Sequence, residues 1–274
     1  MAFYKYCNDP GKFIILNLEI KVTPPNELED KYEMRPVVRC SDPIASAERF
    51  LDEVLADPSY YNSNAGLFRG RSFTQFKDFV NGNPTTVIAA LAKVSPTLDN
   101  NLQNRFVDIL SAKWGVVSLT DSPIVVSMWK DYADGHKGLV VEFDEASHLF
   151  VNYSCVKCDY CDAPVVYDRF LEVTHESMKQ IVRRKKTRYV YENETRLIIP
   201  LSECRKTRNG TSTLNLFHLD ASALVSVTFG QLTPDSTKGE VLEAVTRREL
   251  LHVTKWQIEA GATPDDLKRT QLTD

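Results

Sequence analysis

The segment whose side chains are best suited to catalysis is Tyr191-Glu192-Asn193-Glu194-Thr195-Arg196. It follows a basic run and precedes Leu197-Ile198-Ile199. In a β-strand alternate side chains share a face, so we expect Glu192, Glu194 and Arg196 to project together. Two carboxylates on one face can have different pKa values and divide acid, base and charge-stabilising roles. The alternative interpretation is an edge strand in which Arg196 only pairs with Glu194.

A second candidate is the cysteine series Cys155-x-x-Cys158-x-x-Cys161, because thiolates at this spacing can converge on zinc or iron. A structural zinc site needs a fourth ligand, and Cys204, His148 or His175 could supply one only through a contact that the fold would have to create. We therefore expect reduced cysteines on a loop and no metal. His136 precedes a buried strand in a turn, where histidines are more often solvated than catalytic.

Motifs of the common nucleotide-binding and hydrolytic enzymes are absent from the sequence. It contains no GxGxxG, Walker lysine loop, HExxH or GxSxG pattern. Its 274 residues, 43% apolar content and formal net charge of −4 are typical of a folded protein, and they do not require a nucleic-acid partner. The run Arg183 to Lys186 still allows a local anionic partner.

The sequence predicts a cytoplasmic protein. Residues 1–11 lack the basic-then-apolar pattern of a signal peptide, and no apolar run approaches the roughly 18 residues that span a bilayer.

Periodicity predicts helices mainly in the first half of the chain and strands mainly in the second, which favours one α+β domain over residues 1–274 with a mostly antiparallel, two-part sheet. The predicted helices are Pro43 to Leu55, Ser72 to Val80, Thr85 to Val94, Leu98 to Ser111, Ser122 to Tyr132, Asp168 to Tyr189 and Lys238 to Leu251. The predicted strands are Lys12 to Val22, Trp114 to Leu119, Gly138 to Phe143, Pro164 to Tyr167, Tyr191 to Pro200, Ala223 to Phe229 and Val253 to Ile258.

Several segments in a fixed order also form a recognisable pattern. They are Phe3-Tyr4-Lys5-Tyr6, Leu18 to Asp30, Val117 to Thr120, Met128 to Asp144, Val166-Tyr167, Lys186 to Ile198 and Phe229-Gly230. The pattern resembles a bacterial and phage family catalogued as domain of unknown function 2971, and Trp129 to Asp144 is its most specific part. The chain departs from that family at Glu29 to Glu33, where an Asn-Asp-Pro turn is usual, and in its cysteine loop.

The order of an N-terminal Tyr/Lys strand, a central Ser118-x-Thr120 strand and a late Glu192-x-Glu194 strand is similar to the three-part active site of ADP-ribosyltransferases. This resemblance implies an α+β fold with a mostly antiparallel split sheet flanked by helices, and NAD as the substrate bound in its cleft. Glu194 would stabilise the sugar cation and hold a ribose hydroxyl, while Glu192 would activate the acceptor.

The same resemblance implies a set of NAD contacts. Lys5 or Arg71 would bind the pyrophosphate, and Tyr4, Tyr6, Trp129 or Tyr132 would stack on a ring of NAD. Ser118 is expected at the site as a support for its strand. For Trp129 and Tyr132 the alternative is core packing behind the strand at 138–143.

Three function classes follow from these observations. The first is a transferase that cleaves NAD and modifies a nucleic acid or protein, such as a toxin or phage-defence effector. The second is a nucleic-acid-binding or processing module whose helix face carries Arg183, Arg184, Lys185, Lys186 and Arg188. The third is a non-catalytic sensor or partner-binding domain in which Glu192, Glu194 and Arg196 form a structural ion-pair cluster.

Overall fold

The computed structural model describes residues 2–28, 30, 33–39, 41–63, 70–93, 95–168, 175–210, 212–261, 263 and 266–273. The chain divides into two compact units. The first comprises Met1–Met34, Val107–Ala163 and Glu176–Asp274, and the second comprises Arg35–Phe106 and Pro164–His175. The expectation of a single folding domain stays a prediction.

The first unit is built on four sheets, most of whose pairs are antiparallel. Its strands are β1 (Phe3–Cys7), β2 (Glu19–Val22), β4 (Trp114–Leu119), β5 (Leu139–Phe143), β6 (Ser154–Lys157), β7 (Asp159–Tyr160), β9 (Arg184–Lys185), β10 (Thr195–Pro200), β11 (Arg205–Asn209), β12 (Ser212–His218), β13 (Leu224–Phe229), β14 (Thr254–Ala260) and β15 (Leu267–Gln271). The sheet orders are β1-β5-β13-β14-β15, β4-β10-β6, β11-β12-β2 and β7-β9. The pairs β13–β14 and β7–β9 are parallel.

The helices of the first unit are short and flank these sheets. They are α1 (Phe13–Asn17), α7 (Val126–Asp131), α8 (His148–Asn152), α9 (His175–Arg183) and α10 (Asp235–Ala244). The longer α6 (Ser95–Lys113) begins in the second unit and ends in the first. The architecture is therefore α+β with mixed and antiparallel sheets, as the sequence predicted at this level.

Two backbone bridges join neighbouring sheets of the first unit. Tyr4 of β1 pairs with Thr120 just after β4, with N–H to O distances of 2.8 Å in both directions. Thr23 after β2 pairs in the same way with Val116 of β4, at 2.9 Å. Strand β4 therefore links its own sheet to two others, and a groove beside Tyr4 is bordered by the sheets of β1 and β4.

The second unit is mainly helical. It contains α2 (Pro43–Ala56), α3 (Pro58–Ser63), α4 (Phe73–Gly82), α5 (Pro84–Lys93), β3 (Val37–Arg39) and β8 (Val166–Asp168), with β3 and β8 parallel. Side-chain caps set two helix starts: Asp42 accepts bonds from two amides of α2, and Ser72 forms a capping box with Gln75 before α4. An apolar core of its own, including Leu51, is buried between these helices.

The buried strand predictions are confirmed at Trp114–Leu119 and closely at Leu139–Phe143, where apolar side chains fill the core. The strand predicted at 12–22 is wrong in its first half, because Phe13–Asn17 is helical and Leu18 takes a left-handed conformation before β2 begins. The helix predicted over 168–189 is shorter, at His175–Arg183, and residues 169–174 lie outside the described part. Strand β15 lies beyond the last predicted strand, Val253 to Ile258, and was not predicted.

Within the described residues, no helix combines the length and apolar character needed to cross a membrane.

Candidate active site

A small pocket lies in the first unit where β1 and β4 meet. Its cavity volume is about 80 Å³. Its walls are formed by Tyr4, Lys5, Tyr6, Ser118, Leu119, Met128, Tyr132, Lys185, Glu192 and Glu194. The three segments of the predicted active site therefore line one pocket: the Tyr/Lys strand, the Ser118 strand and the two late glutamates.

The two glutamates converge through a turn and not through strand alternation. Residues Thr187–Glu192 form a 3-10 helix, Asn193 is left-handed with φ 43°, and β10 begins only at Thr195. The prediction of a strand from Tyr191 is therefore wrong. The turn is fixed on both sides of Glu194, whose N–H donates to the Tyr160 hydroxyl at 2.6 Å and whose carbonyl accepts from the Cys158 N–H at 2.9 Å.

Below the pocket lies an ionic cluster of three carboxylates and two cations. The Lys185 ammonium contacts Glu192 at 2.5 Å, Glu194 at 2.7 Å and Glu33 at 3.4 Å. The Arg196 guanidinium contacts Glu194 at 3.0 Å and Glu33 at 2.6 Å, and it donates to the Val182 carbonyl at 2.6 Å. All five charged side chains are buried, so the cluster carries one excess negative charge away from bulk water.

The two pocket glutamates differ in their protonation chemistry. Burial raises the pKa of Glu192, and Lys185 offsets this only in part because its charge is shared with two other carboxylates. Burial also opposes ionisation of Glu194, but Arg196 and Lys185 outweigh it and lower the pKa of this carboxyl well below its usual range. Glu194 is therefore a fixed negative charge, while Glu192 is the group able to take up a proton.

Burial favours the neutral form of Lys185 as well, yet the surrounding carboxylates of Glu194, Glu33 and Glu192 outweigh it and raise its pKa. The ammonium therefore stays charged and holds both pocket glutamates in place. Tyr132 closes the other side by donating from its hydroxyl to the free oxygen of Glu192 at 2.7 Å.

The remaining predicted contacts fall in different places. The Lys5 ammonium lies 3.4 Å from the Ser118 carbonyl, and the Tyr6 hydroxyl is held by the Ser122 carbonyl and the Val125 N–H. Trp129 does not line the pocket.

The indole of Trp129 is completely buried behind Tyr6, at 5.3 Å between ring centroids, and donates to the Pro123 carbonyl. Arg71 belongs to the second unit, where its guanidinium lies 4.4 Å from the Phe79 ring.

The segment predicted as a cysteine loop forms strands β6 and β7 beside the ionic cluster, where the Cys158 and Cys161 N–H groups donate to the carbonyls of Glu194 and Lys185. Cys155 is exposed on β6, Cys158 is buried with its sulfur 3.6 Å from a Glu194 oxygen, and Cys161 is half-buried. Among the described residues, no three cysteine, histidine or acidic side chains are arranged to hold a metal. His136 stacks on Trp129 at 5.9 Å and lies outside the pocket lining.

The basic run does not form one helix face as predicted. Helix α9 ends at Arg183, which pairs with Asp159 at 2.9 Å, and Lys185 points into the ionic cluster. Arg188 lies on the following 3-10 helix and pairs with Asp30 at 3.1 Å. The run therefore serves several local ion pairs.

Sequence reasoning missed two members of the site, Lys185 and Glu33. Lys185 was visible only as one member of a basic run, and Glu33 gave no signal because its role depends on contacts with residues far along the chain. The edge-strand alternative is wrong in its placement, since β10 lies between β4 and β6, although Arg196 does pair with Glu194.

A scan against protein-family models gives no match to the chain, and searches of curated proteins and of solved structures give none either. The resemblances to domain of unknown function 2971 and to ADP-ribosyltransferases therefore rest on the sequence segments alone.

Proposed function

We propose that the protein is an NAD-consuming transferase of the ADP-ribosyltransferase type, which modifies a nucleic acid or protein acceptor. The observation that carries the proposal is the convergence of Tyr4 to Tyr6, Ser118 and the Glu192/Glu194 pair around one pocket where two sheets meet. A split between two sheets is also the fold feature that the ADP-ribosyltransferase likeness leads us to expect.

The size of the pocket limits which part of NAD could enter it. Complete ligand pockets usually measure about 300–1,000 Å³, whereas a cavity of about 150 Å³ accommodates a benzene ring. At about 80 Å³ this pocket is smaller than a cavity that holds a benzene ring, so in the proposal the bond between nicotinamide and ribose meets the two glutamates at the open side of the pocket and the ring is not enclosed by it. In the proposal the rest of the dinucleotide lies outside, near Lys5.

The charges of the site suit cleavage of the bond between nicotinamide and ribose. When that bond breaks, its electron pair leaves with neutral nicotinamide and positive charge develops on the ribose C1′. Glu194 supplies a fixed carboxylate against this charge. The acceptor then bonds to C1′ and gives its proton to Glu192, whose raised pKa suits a general base. Lys185 acts as a positioning residue for both acids.

The decisive measurement is nicotinamide release from NAD by the purified protein, with and without cell extract as a source of acceptor. Glu192→Gln should reduce the rate by about 10²- to 10⁴-fold. The matched control is Glu19→Gln, because Glu19 is likewise paired with a cation, Arg205 at 2.9 and 2.8 Å, but lies on β2 and does not line the pocket. Circular dichroism should show both variants folded.

A milder pair separates catalysis from stability. Tyr132→Phe removes the hydrogen bond to Glu192, whereas Tyr191→Phe removes a similar bond to Asp131 at 2.9 Å. We expect only Tyr132→Phe to slow nicotinamide release. No release by the wild-type protein under any acceptor condition, with both tyrosine variants fully folded, would contradict the proposal and favour a structural ion-pair cluster.

A further inference from the structure

An arginine lies on the sheet face beside the candidate active site without lining its pocket. Arg269 belongs to β15, at one end of the five-stranded sheet, and its side chain crosses β14 and β13 to reach Glu142 on β5 at 3.0 Å. Glu142 is the ladder partner of Tyr4, which does line the pocket. The guanidinium carbon of Arg269 lies 5.8 Å from the centre of the Tyr4 ring, so this positive charge borders the pocket wall.

Four neighbours fix the orientation of the Arg269 guanidinium. Its Nε donates to the Thr228 hydroxyl at 2.9 Å, and its Nη2 donates to Glu142 at 3.0 Å and to the Ser226 hydroxyl at 2.5 Å. The Trp256 ring lies 4.4 Å from the guanidinium carbon. A side chain held in this way loses little conformational freedom when a ligand binds to it.

Two hydrogen-bond donors next to this ion pair reach solvent. The Nη1 of Arg269 and the hydroxyl of Tyr4 make no hydrogen bond within the described residues, and neither is one of the buried polar atoms without a partner there. Burial raises the pKa of Tyr4, Glu142 raises it further and Arg269 lowers it, which places the hydroxyl beside the ion pair. The hydroxyl therefore stays protonated at neutral pH and can donate.

One charged and one neutral donor that point to solvent are suited to a phosphate oxygen. The planar guanidinium can bond a carboxylate through one nitrogen and a phosphate through another. Because Glu142 balances the charge of Arg269, recognition at this place depends on directed hydrogen bonds. Lys5 is the other cation beside the pocket, but strand alternation turns it away from the Tyr4 face of β1, and its ammonium lies 3.4 Å from the Ser118 carbonyl.

We propose that Arg269 and Tyr4 form a subsite for a phosphate group of the dinucleotide substrate. The inference rests on the proposed function, because NAD carries its diphosphate next to the nicotinamide–ribose end. Arg269 then holds the diphosphate on the sheet face while the bond to be cleaved lies at the two glutamates.

Calorimetric titration of the whole protein with ADP, inorganic pyrophosphate and adenosine tests the subsite without turnover. ADP and pyrophosphate should bind, and adenosine should bind more weakly than ADP. Arg269→Gln should weaken ADP binding about ten- to hundredfold, and Tyr4→Phe, which keeps the ring, about two- to tenfold. Arg205→Gln is the control, because Arg205 also pairs with a glutamate, at 2.8 Å, but in another sheet.

Glu142→Gln separates ligand binding from a purely structural role of the ion pair. The change removes the negative charge beside the subsite, while Thr228 and Ser226 still bond the guanidinium. ADP should therefore bind more tightly to this variant than to the wild type. Unchanged or weaker ADP binding by a folded Glu142→Gln protein would show that Arg269 serves the fold alone and would overturn the inference.

Competition identifies the source of the phosphate. ADP should raise the apparent KM for NAD in nicotinamide release and leave kcat unchanged. Competition of ADP with single-stranded RNA but not with NAD, or loss of ADP binding in Lys5→Gln but not in Arg269→Gln, would overturn the inference. Nicotinamide release without Arg269-dependent ADP binding would sink this inference alone, whereas Arg269-dependent ADP binding without nicotinamide release would refute only the proposed function.

Discussion

Replacing Arg196 by methionine tests whether the positive charge of Arg196 stabilises the ionic cluster by balancing the buried carboxylates of Glu33 and Glu194. The guanidinium is fully buried, and its removal leaves Glu33, Glu192 and Glu194 opposite Lys185 alone. Breaking a buried ion pair from one side costs about 3–5 kcal/mol, because a charge stays buried without a partner. We expect a loss of that size in the free energy of unfolding.

The assay is urea unfolding at neutral pH, followed by circular dichroism and tryptophan fluorescence. At about 2–4 °C per kcal/mol for domains of 150–250 residues, the same loss lowers the melting temperature by about 6–20 °C. Glu33→Gln, combined with Arg196→Met, should recover part of the loss, since it removes one of the uncompensated charges that Arg196 contacts. A loss below about 1 kcal/mol for Arg196→Met, or strictly additive effects in the double variant, would refute the reasoning.

Three further predictions concern other parts of the first unit. Because the folded pKa of Glu192 lies above its unfolded value near 4.5, its contribution to stability is present at low pH and is lost as pH rises through the folded pKa. Glu192→Gln should therefore gain stability relative to wild type as the pH of urea titrations rises above 4.5. Burial raises the pKa of both thiols, to about 12 for Cys158 and about 11 for Cys155, so exposure decides their order: iodoacetamide at pH 8 should label exposed Cys155 slowly in the folded protein and buried Cys158 only after unfolding, in a mass-spectrometric time course. Gly138→Ala should destabilise by about 1–3 kcal/mol or more, because its Cβ would lie 1.9 Å from the Cys7 carbonyl oxygen, while Gly239→Ala within α10 meets nothing within 4 Å and should stabilise by about 0.5–1 kcal/mol in thermal melts.

The elements that could be predicted are those in which the local pattern of apolar residues matches the side chains that the fold buries. Leu139–Phe143 is apolar at nearly every position and is a central strand, so its pattern alone is enough. Phe13–Asn17 was predicted as strand because its apolar residues fit either period over so short a length. The helix there depends on packing of Ile14 and Ile15 into the core, which local sequence does not reveal.

The candidate site shows the same division. That Glu192 and Glu194 share one side could be predicted from their spacing, although a left-handed Asn193 achieves it in place of a strand. The contributions of Glu33 and Lys185 could not be predicted, since they arise from ion pairs between distant segments. For Trp129 the sequence left two interpretations, stacking on NAD or core packing, and the structure confirms core packing, with the ring completely buried behind Tyr6.

The pairing of β1 also constrains the order of events during biosynthesis. Phe3 pairs with Phe143, and Lys5 reaches Ser118 across 113 positions of sequence. When β1 leaves the ribosome, β5 has yet to be translated. Until then the aromatic side chains of β1 are exposed to water and its backbone hydrogen-bonding groups are unpaired. Closing so long a loop is slow, so β1 should join its sheet late in folding, after β5 has been made.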